Sequence, residues 1–255
     1  MVVAKIGTSS VTTADGRVDR GAIEAISSEV AQLRRLGHKV VLVTSGAVTA
    51  GVAALAAGAG AKRPTDPITL QALASVGQHR LMRVYDDAFA SVGIIGGQVL
   101  LAPLDFGQRQ RYLHARETLL RLLDLGVVPI VNENDAIADD EIRFGDNDRL
   151  AALVAHLLRA DLMVLLTDTP GLFSADPRID EGATLIEEVR EIDHELEEAA
   201  GGSLNDSARG GMSSKIAAAK MAAWSGVRTV IASADRPEVL RDAVTGNGRV
   251  GTVLL

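Results

Sequence analysis

The 255-residue sequence has no cysteine, one tryptophan, two tyrosines and four phenylalanines, and each scarcity removes a class of function. Without thiols there is no disulfide framework, no Cys-type zinc site and no sulfur nucleophile or redox couple. Any chemistry falls to carboxylates, amines, amides and hydroxyls. Aromatics make up 3% of the chain, and 26 Lys+Arg stand against 33 Asp+Glu for a formal charge of −7. Such a surface has neither the basic excess that neutralises a phosphodiester backbone nor the rings on which bases stack, so nucleic acid is not expected as a partner. The longest apolar stretch, 92–104, contains Gln98 and three glycines and falls short of the roughly 20 residues of a bilayer span. The opening Met1-Val2-Val3-Ala4-Lys5 has no basic region followed by an apolar stretch and a small-residue cleavage site. A cytoplasmic protein with no membrane partner is expected.

What remains is ordinary globular composition, with 47% hydrophobic and 23% charged residues, 25 glycines and 7 prolines. No repeat, low-complexity tract or linker divides it, and a single domain over residues 1–255 is expected. The cations are unevenly chosen. Five of the 26 are lysines, at 5, 39, 62, 215 and 220, which leaves 21 arginines. Where arginine serves almost everywhere, a lysine marks a place that needs a compact ammonium.

Short β-branched runs at 2–6, 40–44, 94–101, 127–131, 162–167, 228–232 and 250–254 alternate with helical patterns. The first helix starts at Asp19, carries Ile23, Ile26, Val30, Leu33 and Leu36 on one face, and stops at Gly37. Others are read over 70–92, 112–125, 149–158, 214–225 and 237–244, with a hairpin over 136–144 and a loop over 56–66. Alternation of this kind predicts an α/β fold, a three-layer sandwich around a mostly parallel central sheet. Ligands of such sheets bind beyond the carboxyl ends of the strands. Here those ends run into Gly7-Thr8-Ser9, Ser45-Gly46-Ala47, Asn132-Glu133-Asn134-Asp135 and Asp168-Thr169-Pro170-Gly171.

Lys5 lies inside an apolar strand two residues before Gly7, where an ammonium emerging at a turn with the hydroxyls of Thr8 and Ser9 suits a polyphosphate; the plain alternative is an edge-strand lysine. Gly210-Gly211-Met212-Ser213-Ser214-Lys215 opens a helix, so backbone N–H groups, the helix dipole and Lys215 converge on an anion, the alternative being a loop with N-cap serines. It is not a Walker A loop, since the chain has no Gly-Lys pair. Seven acids lie between 132 and 148. Asp139, Asp140 and Glu141 read as a solvated loop, whereas Asp135 ends a strand and Gly145-Asp146-Asn147-Asp148 leads into a helix. Carboxylates and amides together suit an ammonium, a metal–nucleotide or both. Asp105-Phe106-Gly107 copies a protein-kinase triplet without its catalytic loop. No Gly-x-Gly-x-x-Gly follows the first strand, and Ser45 lies in no hydrolase elbow.

Together, Lys5-x-Gly7-Thr8-Ser9, Thr44-Ser45-Gly46-Ala47-Val48, Asn132-Glu133-Asn134-Asp135, Gly145-Asp146-Asn147-Asp148, Thr167-Asp168-x-x-Gly171-Leu172 with Asp176-Pro177, and Gly210-Gly211-Met212 with Lys215 resemble the amino acid kinase family. Thr8-Ser9 and the Asn-Glu-Asn-Asp run point to its glutamate-phosphorylating members. The resemblance covers essentially the whole chain in order. It implies phosphorylation of the γ-carboxylate of L-glutamate by ATP with Mg²⁺ carried on the nucleotide, as the first step of proline synthesis, with proline as feedback inhibitor and a homodimer or homotetramer as the assembly. Carried over, Lys5 and Lys215 contact the transferring phosphoryl group and Asp148 holds both lysines. Ser45, Asn134, Asp135 and Asn147 hold glutamate. Lys5, Gly7, Thr8, Ser9, Thr167, Asp168, Arg209, Gly210, Gly211, Met212, Ser213, Ser214 and Lys215 line the nucleotide, and no protein side chain is assigned to a metal.

The sequence departs from the pattern at Ala208-Arg209, where Gly-Thr is usual, at Ser214 for Thr and at His114 for Asn. Many relatives also carry a C-terminal PUA domain that these residues do not include. Two other readings stay open at this stage: a family phosphotransferase with another acceptor, and a non-catalytic nucleotide or amino-acid sensor.

Overall fold

The computed structural model describes residues 1–56, 64–137, 147–175, 177, 179–180, 182–192, 196, 211–246 and 250–255. Eight strands are described: β1 (Val2–Ile6), β2 (Val40–Val43), β3 (Gly96–Leu101), β4 (Val128–Glu133), β5 (Leu162–Thr167), β6 (Glu188–Val189), β7 (Arg228–Ser233) and β8 (Thr252–Leu254). They form one sheet in the order β3-β4-β2-β1-β5-β7-β8-β6. β1 to β5 and β7 run parallel. β8 is antiparallel to β7, and β6 is parallel to β8.

Strand pleating divides the core into two layers, because successive side chains point to opposite faces. Val2, Ala4 and Ile6 face the layer built from α2 (Arg20–Arg35), α4 (Pro67–Ser91) and α9 (Val239–Thr245). Val3, Val41, Val43, Met163 and Leu165 face α6 (Arg109–Asp124), α7 (Asn147–Leu158) and α8 (Met212–Ala223). Lys5 shares the face of Val3, so its ammonium is delivered to the side of α7 and α8.

The helices start where capping chemistry places them. Asp19 accepts from the Ala22 amide at 3.0 Å ahead of α2, and Gly37, at φ +87°, turns the chain out of it. Asp66 accepts from the Thr69 amide at 2.8 Å and Pro67 occupies the first turn of α4.

Three further helices follow strand ends, namely α1 (Thr8–Val11), α3 (Ala47–Ala56) and α5 (Pro103–Gly107). None shows a strong apolar period, and none is among the helices expected from the sequence. α3 instead owes its place to small residues. A Cβ on Gly51 would stand 1.9 Å from the Leu73 carbonyl oxygen, and one on Gly77 would stand 1.7 Å from that of Ala47, so α3 and α4 touch backbone to backbone.

Other expected boundaries shift. The polar Asn132 and Glu133 look like loop residues, yet the ladder continues through them opposite Leu100 and Leu101. The helix expected from Ser214 starts at Met212, because Gly211 supplies the extended N-cap. Of the expected 136–144 hairpin only Ala136 and Ile137 lie among the described residues, inside a 3₁₀ turn (Asp135–Ile137); 138–144 lie outside them.

Candidate active site

β1, β2, β4 and β5 are neighbouring parallel strands, so their carboxyl ends lie along one edge. Two side-chain clusters stand there. In the first, Lys5 Nζ lies 2.5 Å from Asp148 Oδ1 and Lys215 Nζ lies 3.2 Å from Asp148 Oδ2. β1 supplies Lys5, the first turn of α7 supplies Asp148, and the first turn of α8 supplies Lys215. Lys5, Asp148 and Lys215 are 3%, 0% and 4% exposed, so all three charges are out of bulk water. Burial by itself would raise the Asp148 carboxyl. The fields of Lys5 and then Lys215, with hydrogen bonds from Lys5 and Ser214, hold it below the usual carboxylate range. Ser214 Oγ donates to Asp148 Oδ2 at 2.8 Å. Two ammoniums standing around one carboxylate form an arrangement suited to receive an incoming anion.

The second cluster spans the ends of β2 and β4. Asn147 donates its Nδ2 to the Thr44 carbonyl oxygen, and the same Nδ2 lies 2.6 Å from Asn132 Oδ1. Asn132 Oδ1 also accepts from the Glu133 amide at 2.9 Å, and Asn132 Nδ2 donates to Gln78 Oε1 at 2.6 Å. On the far side of Thr44 its hydroxyl meets that of the fully buried Tyr85 at 3.0 Å. Burial keeps the Tyr85 phenol neutral by pushing its pKa above the ordinary tyrosine value, against the smaller lowering effect of the Thr44 hydrogen bond. Among the described residues, Ser45 Oγ, Asn147 Oδ1 and Gln78 Nε2 are buried without a hydrogen-bond partner. Asp135, buried in the 3₁₀ turn that follows β4, has its carboxyl pushed up to about 6 by desolvation. A cleft of about 280 Å³ lies against this region, lined by Ala47, Gln78, Gln98, Glu133, Asn134 and Asp135 among others. Its polar wall residues include the carboxylates of Glu133 and Asp135, the chemistry that receives an ammonium.

The two clusters share Asn147 and Asp148, consecutive residues at the start of α7. Thus the structure brings Lys5, Asp148 and Lys215 together, and Asn147 donates to the carbonyl of Thr44, the residue before Ser45. Asn134 and Asp135 line the cleft. Gly7, Thr8 and Ser9 lead into α1 at the end of β1, Thr8 half-buried and Ser9 exposed. Gly7 has an ordinary φ of −70°, and an added Cβ would meet nothing nearer than 3.7 Å. A Cβ would fit there in ordinary contact with Lys5 Nζ at 3.9 Å, so the backbone at Gly7 makes no special turn. Gly46, at φ +98°, is the position where the backbone itself requires glycine.

Thr167 ends β5 and donates to the exposed Asp168 at 3.0 Å. Gly211, Met212, Ser213 and Ser214 form the N-terminus of α8, with Ser214 turned onto Asp148. Arg209 and Gly210 lie outside the described residues, as do Asp139, Asp140, Glu141, Gly145, Asp146 and Asp176. His114 is an exposed residue of α6. Sequence reasoning missed Gln78 and Tyr85. The signal was a polar residue on the apolar stripe of α4, since Gln78 falls between Ala74 and Leu81 at helical spacing.

A family model described as the amino acid kinase family matches residues 1–233. The chain belongs to the amino acid kinase family. It is 51% identical over 255 residues to the glutamate 5-kinase of Burkholderia mallei (strain SAVP1), covering all of this chain and 67% of that protein. It is 49% identical over 254 residues to the glutamate 5-kinase of Burkholderia multivorans, with the same coverage. Among solved structures, T. acidophilum isopentenyl phosphate kinase in its product complex superposes with a TM-score of 0.67 at 20% identity over the whole of both chains. Carbamate kinase from Giardia lamblia bound to AMP-PNP gives 0.64 at 18% identity, over 100% of this chain and 98% of that one. The structural likeness establishes the shared fold.

Proposed function

We propose that this chain transfers the γ-phosphoryl group of ATP to the γ-carboxylate of L-glutamate, giving L-glutamyl 5-phosphate and ADP, the first step of proline synthesis. The observation that carries the reading is the buried Lys5–Asp148–Lys215 cluster standing next to the acceptor-rich cleft at one sheet edge. Similarity along the full chain to proteins named glutamate 5-kinase supports the choice of acceptor.

In the reaction a carboxylate oxygen of glutamate forms a bond to the γ-phosphorus as the bond from that phosphorus to the β,γ-bridging oxygen breaks, and ADP leaves with the electron pair. The carboxylate is already ionised at neutral pH, so no general base is needed. What the protein supplies is placement and charge. Lys5 and Lys215 face the phosphoryl oxygens. Asp148 fixes both ammoniums at their positions and takes up no proton, since its carboxyl is held ionised. Ser45, Asn134, Asp135 and Asn147 hold glutamate, the Asp135 carboxylate opposite its ammonium. Gly7, Thr8, Ser9, Thr167, Asp168 and the Arg209–Lys215 segment line the nucleotide.

Among the described residues no three His, Asp or Glu side chains converge on a metal position, and the Asp148 oxygens are occupied by lysines. These residues fit Mg²⁺ held by the phosphates of ATP, where it offsets phosphate charge. Residues 1–255 act as one catalytic domain, and the chain spans about two thirds of its curated relatives, 67% of the first. Proline inhibition, a homodimer or homotetramer, and a cytoplasmic setting complete the reading. No described helix is long and apolar enough to cross a membrane.

The test presents the protein with ATP, Mg²⁺ and a panel of acceptors: glutamate, aspartate, N-acetylglutamate, carbamate and a nucleoside monophosphate. Hydroxylamine traps any acyl phosphate. Hydroxamate formed from glutamate, with ADP in equal amount, is the expected result. ADP release with another acceptor and none with glutamate would replace the reading with that phosphotransferase.

A further inference from the structure

Gln78 sits in the middle of α4, 8% exposed, on a helix face otherwise made of Leu70, Leu73, Ala74, Gly77, Leu81 and Tyr85. A polar amide in that stripe is costly unless both its ends are used. One end is: Gln78 Oε1 accepts from Asn132 Nδ2 at 2.6 Å. The other, Nε2, is buried and has no hydrogen-bond partner among the described residues, while Gln78 forms part of the cleft wall.

The identity of that open atom follows from backbone groups. The Glu133 amide can only donate, so Asn132 must turn its Oδ1 toward it and its Nδ2 toward Gln78. Gln78 must then offer Oε1 to Asn132, which leaves Nε2 over. In the same way the Thr44 carbonyl can only accept, so Asn147 gives it Nδ2 and keeps Oδ1 over. Two open amide atoms of opposite character therefore result, an acceptor on Asn147 and a donor on Gln78, and neither can exchange roles by flipping.

An amino acid presents an ammonium, which needs acceptors, and an α-carboxylate, which needs donors. In the glutamate reading, Asn147, Ser45 and Asp135 meet the first need. The γ-carboxylate must lie toward Lys5 and Lys215, at β1 and α8. The cleft wall formed by Gln78 lies at the β4 and β3 side of the sheet, away from them. We infer that Gln78 reads the α-carboxylate of the substrate, donating from Nε2, and so selects amino acids with a free α-carboxylate. The inference rests on the glutamate reading proposed above.

The test measures by calorimetry the binding of L-glutamate and of its α-amide, which keeps the γ-carboxylate and ammonium but carries an amide where the α-carboxylate was. ATP binding is measured alongside, on wild type, Gln78→Glu and Gln78→Met. Gln78→Glu keeps the acceptor for Asn132 and turns the donor into an acceptor. It should weaken glutamate by about a hundredfold while the α-amide, which can donate to Glu, loses little, and ATP should stay within about twofold. Gln78→Met keeps the volume without a polar head and should weaken glutamate by about tenfold with no gain for the α-amide. Equal losses for glutamate and α-amide in Gln78→Glu, or unchanged glutamate binding in Gln78→Met, would overturn the inference with the functional reading intact. Wild-type protein that binds no glutamate would remove both.

Discussion

In the proposed reaction Lys5 and Lys215 each supply a compact point charge, which a guanidinium does not reproduce. Each ammonium is buried against one oxygen of Asp148, and the planar fork of arginine cannot occupy the same spot while facing a phosphoryl group. Lys5→Arg and Lys215→Arg should each lower turnover by about a hundredfold or more, the scale on which loss of one preorganised donor acts. Lys39, half-exposed and 2.8 Å from the exposed Asp124, serves as the control, and Lys39→Arg should stay within about twofold. Steady-state rates on folded variants decide it. Near-normal turnover of both Lys5→Arg and Lys215→Arg would mean that phosphoryl transfer happens elsewhere.

Asp135 carries a different signature, because its carboxyl is raised from 3.8 to about 6 by burial. A raised acid pKa means that the folded chain holds a proton more tightly than the unfolded one between those values. Ligand-free stability therefore falls as pH rises through that window, by about 3 kcal/mol in total. Glutamate binding moves the opposite way, since the ammonium needs the ionised form. Asp135→Asn should raise the melting temperature of the ligand-free protein near pH 7, flatten its dependence between about pH 4 and 6, and weaken glutamate by about tenfold to a hundredfold with ATP unaffected. Thermal melts and titrations across that range check both arms. Unchanged glutamate affinity would remove Asp135 from the site.

At the scale of elements, the contact of α3 with α4 positions the cleft. Ala47 and Gln78 both line the cleft, and at Gly51 and Gly77 the two helices meet so closely that no side chain fits without moving a helix. Gly77→Ala would place its Cβ 2.5 Å from the Gly51 amide as well as against the Ala47 carbonyl. It should cost about 1–3 kcal/mol and weaken glutamate, whereas Gly107→Ala, with nothing within 4 Å, should change stability by less than about 0.5 kcal/mol. Denaturant midpoints of the two variants compare them directly.

This pair also shows what could be read in advance. Buried strands announce themselves through β-branched runs, so β1 and β5 have the boundaries their residues suggest. The lysine cluster was legible because a lysine in an apolar strand and a lysine after two glycines are both out of place. α3 was not, because an Ala- and Gly-rich helix held by backbone contact has little amphipathic period to detect. Gln78 stayed hidden for a related reason: its role depends on Asn132, 54 residues away in sequence and across the sheet face.

At the scale of the whole molecule, the charge layout follows the fold. The chain is acidic overall at −7, yet at the sheet edge it presents two buried ammoniums around one carboxylate. The motifs that carry the reaction lie between residues 5 and 215, and the strands and helix after them complete the sheet. Turnover is therefore expected without the residues that longer relatives carry beyond the matched stretch. The most direct measurement is a single-turnover quench of the purified 255-residue protein with γ-labelled ATP, Mg²⁺ and L-glutamate. Label should pass to an acid-labile acyl phosphate as ADP forms, only when glutamate is present, and with no added protein. A folded preparation that leaves ATP intact in the presence of glutamate, or that turns over only when a second protein is supplied, would contradict a phosphoryl-transfer centre built from Lys5, Asp148 and Lys215.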